Sequence, residues 1–314
     1  MRTRGLLLTL VLLFSLVLTP PASATRGAWV VDEQRLGDRL LELTVSSEAV
    51  GHDIGVRLLL PRDWDRQPRR DWPTLYLLHG CCDGDTGYRS WTDKTDVEEL
   101  TARSNVLVVM PEAGPAGFYS DWRSGPAWET FHLTELRRLL ERQYRSDDRR
   151  AVAGLSMGGF GALSYAARHP GFFRAAASYS GVVHTTYQGP DLVQGLVSGW
   201  GLDPDDLWGD PVADAGTWAA HNPYDLAKRL RGTPLYLSTG NGQPGPLDPP
   251  DAQPDSLERF LGEESVALAE RLRALRIPVT TDFYGPGRHA WPYWERALHD
   301  SFPLLERALC GHRC

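Results

Sequence analysis

The sequence predicts one α/β domain built on a mostly parallel central sheet with helices on both faces. Three observations predict it. β-rich apolar runs alternate with helical patterns along most of the 314 residues, as strand–crossover–strand units require. Several of these runs are apolar without a break, as strands buried on both faces must be. A glycine-flanked serine stands where one such run passes into a helical pattern.

The runs come in order. "LLELTV" (40–45) and "IGVRLLLP" (54–61) read as an early hairpin-like pair. "TLYLLHG" (74–80), "NVLVVMP" (105–111), "RAVAGLS" (150–156), "RAAASYSG" (174–181), "PLYLSTG" (234–240) and "PVTTDFY" (278–284) follow as strands. Helical patterns fall between or after them: "TFHLTELRRLLERQY" (130–144), "GGFGALSYAARH" (158–169), "SVALAERLRAL" (265–275) and "WERALHDSFPLLERAL" (294–309), the last with a kink expected at Pro303. Residues 182–232 are less regular, rich in Gly, Asp and Trp, and are read as an irregular cap over the sheet edge. "NGQPGPLDPPDAQPDS" (241–256) is a loop by composition.

Residues 1–24 read differently from the rest. Arg2 and Arg4 precede an apolar run, Leu6 to Leu18, which ends before Ala22-Ser23-Ala24. A basic start, an apolar stretch and a small-residue site make a secretory signal peptide. The run is shorter than the roughly 20 residues that span a bilayer. The expectation is cleavage near Ala24, an exported product of residues 25–314, and no stable membrane insertion. Net charge is −7, and loss of Arg2 and Arg4 takes it to −9. No basic stripe is present, so nucleic acid is not expected as a partner. Four cysteines remain in the exported chain: Cys81, Cys82, Cys310 and Cys314. Cys310 and Cys314 are close enough in sequence to close a small loop in an oxidising compartment, and that disulfide is expected.

Gly154-Leu155-Ser156-Met157-Gly158 fits G-x-S-x-G. Its strand–turn–helix context is that of a nucleophile elbow, which lifts a serine hydroxyl clear of the sheet at a helix N-terminus. There the helix dipole and backbone N–H groups favour developing negative charge. A serine needs a base to take its proton. His289, after the last strand pattern and before the last helix, holds the final place in the order serine, acid, histidine. His169 and His299 sit within helical patterns and are read as surface or core. The acid belongs between "PLYLSTG" and His289, where Asp248, Asp251, Asp255 and Glu258 all qualify by position. Two N–H donors are expected around an oxyanion: Met157, next to the nucleophile, and Cys81, in the loop after "TLYLLHG". This chemistry calls for no metal and no organic cofactor.

Several motifs together resemble the secreted antigen 85 mycolyltransferases and the wider esterase D-like group of α/β-hydrolases. They are "YLLHG", "GFYSDW" (117–122), "WETFHLTEL" (128–136), "GLSMGG" (154–159), "GNG" (240–242), "LERF" (257–260) and "HAWPYW" (289–294), in family order over most of the exported chain. The resemblance implies an α/β-hydrolase fold, Ser156 as nucleophile, His289 as base and Glu258 as acid, with Cys81 and Met157 at the oxyanion positions. It implies substrate contacts at His79, Cys82, Trp122 and Trp128. Antigen 85 enzymes carry an aspartate and an arginine where His79 and Cys82 stand, and hold trehalose with them. Arginine offers a rigid fork of donors, cysteine a weak one. The expected function is therefore a secreted serine esterase or acyltransferase favouring carboxylester hydrolysis of a small-molecule or lipid ester. The alternatives are mycolyl or acyl transfer to a sugar or cell-envelope acceptor, and a catalytically silent binding protein on the same fold.

Overall fold

The computed structural model describes residues 27–81 and 84–311. Residues 1–24, read above as a signal peptide, and Cys82 and Cys314 lie outside these residues. Nine strands form one sheet: β1 (Trp29–Arg35), β2 (Leu40–Ser46), β3 (Asp53–Leu59), β4 (Trp72–Leu78), β5 (Leu107–Pro111), β6 (Ser146–Leu155), β7 (Ala176–Tyr179), β8 (Leu235–Thr239) and β9 (Thr280–Phe283). Their spatial order is β1-β2-β3-β5-β4-β6-β7-β8-β9. The first three strands pair antiparallel, β3 meets β5 antiparallel, and β5-β4-β6-β7-β8-β9 run parallel.

The helices are α1 (Ser90–Lys94), α2 (Val97–Leu100), α3 (Trp128–Thr130), α4 (Arg137–Gln143), α5 (Met157–Arg168), α6 (Asp191–Ser198), α7 (Asp205–Trp208), α8 (Ala215–His221), α9 (Ser256–Ala274) and α10 (Trp291–Cys310). A π-helical turn, Phe131–Leu136, joins α3 to α4. Helices α6 to α8 lie within the segment read as a cap. This is the α/β-hydrolase fold.

Alternation along the strands explains why helices cover both faces. Successive side chains of a strand point to opposite sides. Trp72, Tyr76 and Leu78 of β4, with Val152 of β6, join a core that takes in α5 and the inner face of α9. Leu75 and Leu77, with Ala151, Ala153 and Leu155, join a second core that contains Trp91 and the apolar face of α10. That face (Trp294, Ala297, Leu298, Phe302, Leu305, Leu309) is buried along the whole helix, and α10 runs through Pro303 as one element. Burial of a full apolar stripe outweighs the roughly 3 kcal/mol that an interior proline costs.

β1 is absent from the sequence reading for a physical reason. Its residues "WVVDEQR" are exposed on almost every position, so neither face supplies an apolar pattern. Its pairing with β2 shifts register between Val30 and Asp32.

Helix α9 carries a buried carboxylate away from any cation. Glu264 is 1% exposed, and its Oε2 accepts the His184 N–H at 2.9 Å. Burial pushes its pKa up to about 8, against the N–H bonds that favour the charged form. A carboxyl raised in the folded state keeps its proton where the unfolded chain has lost it. Its contribution to stability is full below the unfolded value and is lost as pH rises through about 8. Glu264→Gln is therefore expected to gain on wild type by on the order of 1 kcal/mol or more between pH 5 and pH 8.5. Urea unfolding at both pH values measures the difference, and parallel pH dependences would contradict the assignment.

Candidate active site

The site is assembled at the carboxyl ends of β4, β6, β7 and β8. Ser156 follows β6 with φ 53° and ψ −119° and precedes α5 directly. This is left-handed backbone, uncommon for serine and costly enough to need support. The support is local: Ser156 N–H donates to Tyr179 O at 2.9 Å, and Phe160 N–H donates to Ser156 O at 3.1 Å. The flanking glycines are dictated by crowding. A Cβ on Gly158 would lie 2.3 Å from Leu78 O and 2.5 Å from His79 O, and one on Gly154 would lie 2.3 Å from Gly158 O.

Glu258 enters from the first turn of α9, fully buried. Its Oε1 accepts from Gly240 N–H at 2.6 Å, Ser180 Oγ at 2.9 Å and Thr239 Oγ1 at 3.1 Å. Its Oε2 lies 2.8 Å from His289 Nδ1. A buried carboxylate is an acceptor only, so the imidazole proton belongs on Nδ1 and Nε2 is left as the basic nitrogen. The other carboxylates that position left open have different tasks. Asp255 caps α9, its Oδ1 accepting from Leu257 and Glu258 N–H at 3.0 and 3.1 Å. Its Oδ2 accepts His289 N–H at 3.1 Å. Partial burial would raise the Asp255 pKa, but these N–H groups and the nearby imidazole hold it below the ordinary value. Asp248 accepts from Gly245 N–H and Tyr293 OH, each at 2.8 Å, and Asp251 is exposed.

A cavity of about 230 Å³ is lined by Gly80, Cys81, Leu155, Ser156, His289, Trp291 and Trp294. Ser156 and His289 share it without a direct hydrogen bond between Oγ and Nε2. Such contacts are often long before substrate binds. Met157, the first residue of α5, and Cys81 follow Ser156 and β4 respectively, where the two N–H donors were expected. Cys81 and Cys310 are each disulfide-bonded, so Cys81 offers no free thiol as a rival nucleophile.

The protein matches the family described as "Putative esterase" over residues 47–305. The chain belongs to this esterase family. It is 37% identical over 229 residues to Esterase Rv1288 of Mycobacterium tuberculosis, covering 68% of this chain and 48% of that protein. The chain thus spans about half the length of that relative. It is 33% identical over 313 residues to the diacylglycerol acyltransferase/mycolyltransferase Ag85B of Mycobacterium leprae, covering 94% of this chain and 90% of that one. Among solved structures, Mycobacterium tuberculosis MPT51 superposes with a TM-score of 0.69 at 24% identity, covering 85% of this chain and 97% of that one. At that identity the likeness speaks for the fold.

Three residues expected to contact substrate stand outside the cavity that Ser156 and His289 line. His79 is 1% exposed beneath the loop after β4, its Nδ1 2.7 Å from Gly80 O and its Nε2 3.0 Å from Ala113 N and 3.1 Å from Glu112 Oε1. Burial would raise the Glu112 pKa, but His79 and the Tyr88 and Ala113 N–H groups hold it below the usual range. His79 supports the loop from below instead of facing the cleft. Trp122 and Trp128 line a different cavity, of about 290 Å³, with His52, Asp53, Gly114 and Gly117. Their motif is architectural: Asp121 accepts from Thr130 N–H and Oγ1 at 2.8 and 2.7 Å, and Trp122 Nε1 donates to Gly117 O at 3.0 Å. Tyr119 OH donates to His79 O at 2.9 Å. Cys82 lies outside the described residues. His169 and His299 pair with Glu129 and Asp96 at 2.6 and 2.7 Å, away from Ser156.

Sequence reasoning missed Ser180, Thr239, Asp255 as a cap, Trp291 and Trp294. The signal was present for two of them, since "HAWPYW" places both tryptophans within five residues of His289.

Gly158→Ala is expected to destabilise the fold by on the order of 3 kcal/mol, because its methyl meets two backbone oxygens that cannot move independently of β4. Thermal unfolding of the purified variant measures this, and a melting temperature within a degree of wild type would show that the close approach is not needed.

Proposed function

We propose that this protein is a secreted serine esterase working through Ser156, His289 and Glu258. The observation that carries the reading is the 2.8 Å contact between a fully buried carboxylate and His289 Nδ1, in a cavity shared with a serine on a strained elbow. Ser156 Oγ attacks the ester carbonyl carbon while its proton passes to His289 Nε2. Glu258 holds the imidazole in the tautomer that accepts this proton and stabilises the resulting cation. The N–H groups of Met157 and Cys81 face the oxyanion. The intermediate collapses, the C–O bond to the alcohol breaks, and His289 protonates the leaving oxygen. Water then attacks the acyl-enzyme, gives its proton to Nε2, and releases the acid and Ser156.

The cavity volume of about 230 Å³ suits a short or medium acyl ester, since pockets for drug-sized ligands run to roughly 300–1,000 Å³. Acyl transfer is the second reading, supported by the 94% coverage of this chain against a relative named an acyltransferase and mycolyltransferase. In it, an alcohol of a sugar or cell-envelope acceptor replaces water at the second step. Export rests on the leader at residues 1–24. No helix among the described residues is long and apolar enough to cross a membrane.

Ser156→Ala should lose about 10³-fold or more in p-nitrophenyl butyrate hydrolysis while remaining folded. Glu258→Gln should lose far more activity than Asp248→Asn. Near-normal turnover by folded Ser156→Ala sinks the reading. Acyl transfer from a lipid donor to trehalose that outpaces hydrolysis would make the second reading the right one. Absence of fluorophosphonate labelling at Ser156 would leave a silent binding protein.

The expected Cys310–Cys314 bridge remains a proposal. Cys81 lies in the cavity with Trp291, at the start of a 20-residue helix that ends at Cys310, about 30 Å away at the usual rise. Cys310 and Cys81 are thus too far apart to be partners. Peptide mapping without reductant should yield Cys310 joined to Cys314, and recovery of a Cys310–Cys82 peptide would overturn the pairing.

A further inference from the structure

The acid of the site is not held by its own segment alone. Its Oε1 receives donors from two strand ends, Ser180 after β7 and Thr239–Gly240 after β8. Ser180 has positive φ, 44°, on a backbone secured by its N–H to Ser238 O at 2.7 Å. That conformation, unusual for serine, turns its hydroxyl toward α9.

A hydroxyl carries one hydrogen and two lone pairs, whereas an indole N–H only donates. Trp294 Nε1 donates to Ser180 Oγ at 3.2 Å. This occupies a lone pair of the serine oxygen, beside which the Tyr284 side chain also stands in hydrogen-bonding contact, and leaves the serine's single hydrogen for the carboxylate, Glu258 Oε1, at 2.9 Å. The same indole meets the His289 ring edge-on, with centroids 4.8 Å apart and planes at 81°. One side chain therefore packs against the imidazole and sets the direction of a bond to the carboxylate. Trp294 is 6% exposed and is wedged against Trp291 with centroids 5.2 Å apart.

The terminal torsion of a glutamate is broad and nearly two-fold. A carboxylate free to turn does not keep one oxygen aimed at a ring nitrogen. Resting on the serine esterase reading, we propose that Trp294 and Ser180 are positioning residues. Their relay, indole N–H to hydroxyl to carboxylate, pins Glu258 Oε1 and thereby commits Oε2 to His289 Nδ1.

The test is a double-mutant cycle on the purified exported chain, with Ser180→Ala, Trp294→Phe and the double variant. Phenylalanine keeps an aromatic ring against His289 and removes the donor along with part of the indole, a loss of volume that thermal unfolding reports. The readouts are the rate of fluorophosphonate labelling at Ser156, kcat and KM for p-nitrophenyl butyrate, and the far-downfield proton resonance of His289 Nδ1–H. Thermal unfolding checks the fold. Each single change should slow labelling about tenfold, the scale of one hydrogen bond to a charged group. The loss in Ser180→Ala should fall on kcat with KM little changed. Both variants should move the His289 proton resonance. The double variant should be no slower than the slower single, because both changes break one chain. Independent losses that multiply in the double variant overturn the relay. Labelling that depends on Glu258 but proceeds at the wild-type rate in either folded single variant overturns it too, and leaves the esterase reading intact. Wild type unlabelled at Ser156 removes the esterase reading and the relay with it. If Ser180→Ala fails to fold, Trp294→Phe alone decides, through its rate and its His289 resonance.

Discussion

The constraint on which the site depends is the approach of Gly158 to the carbonyl oxygens of Leu78 and His79. It brings the start of α5 against the end of β4 with no room for a side chain. Ser156 and the loop after β4 are neighbours for that reason. Everything else at the site is arranged around this contact. His79 and Glu112 brace the loop from beneath, and Tyr119 ties it to the segment after β5. The strained backbone of Ser156 persists because β6, β7 and α5 all fix it.

The opposite wall obeys a different rule. A carboxylate with no exposed surface must find donors, and Glu258 finds them on separate chain segments. Asp255 adds a second joint, capping the helix that carries Glu258 and holding the backbone of His289. Glu258 and His289 are therefore aligned by backbone as well as by side chain. Asp255 and Glu258, three residues apart, divide the work of support and of contact with the ring.

Much of this was legible in the sequence where the physics is local. The eight strands after β1 were readable from their apolar or β-rich runs. The elbow was readable because a tight strand-to-helix turn admits only small neighbours. β1 was not, since exposure on both faces erases periodicity. Position could not separate Glu258 from Asp248, Asp251 and Asp255, because which carboxylate meets His289 depends on the distant ends of β7 and β8. His79, Trp122 and Trp128 show the converse. A family motif marks them as candidate substrate contacts, yet His79 is buried beneath the loop after β4, and Trp122 and Trp128 line a separate cavity. Burial, which a single sequence does not display, makes the difference.

The bulge in β1 has a consequence for the sheet as an object of finite size. Eight ordered strands end in one that is exposed on both faces, and whose pairing slips by a residue between Val30 and Asp32. A bulge at an edge twists the strand and breaks the even spacing that a tenth strand needs. Asp32, Glu33 and Arg35 add charge along the same edge. The sheet thus carries its own terminator. Identical copies folding side by side are thereby kept from extending the sheet across this edge.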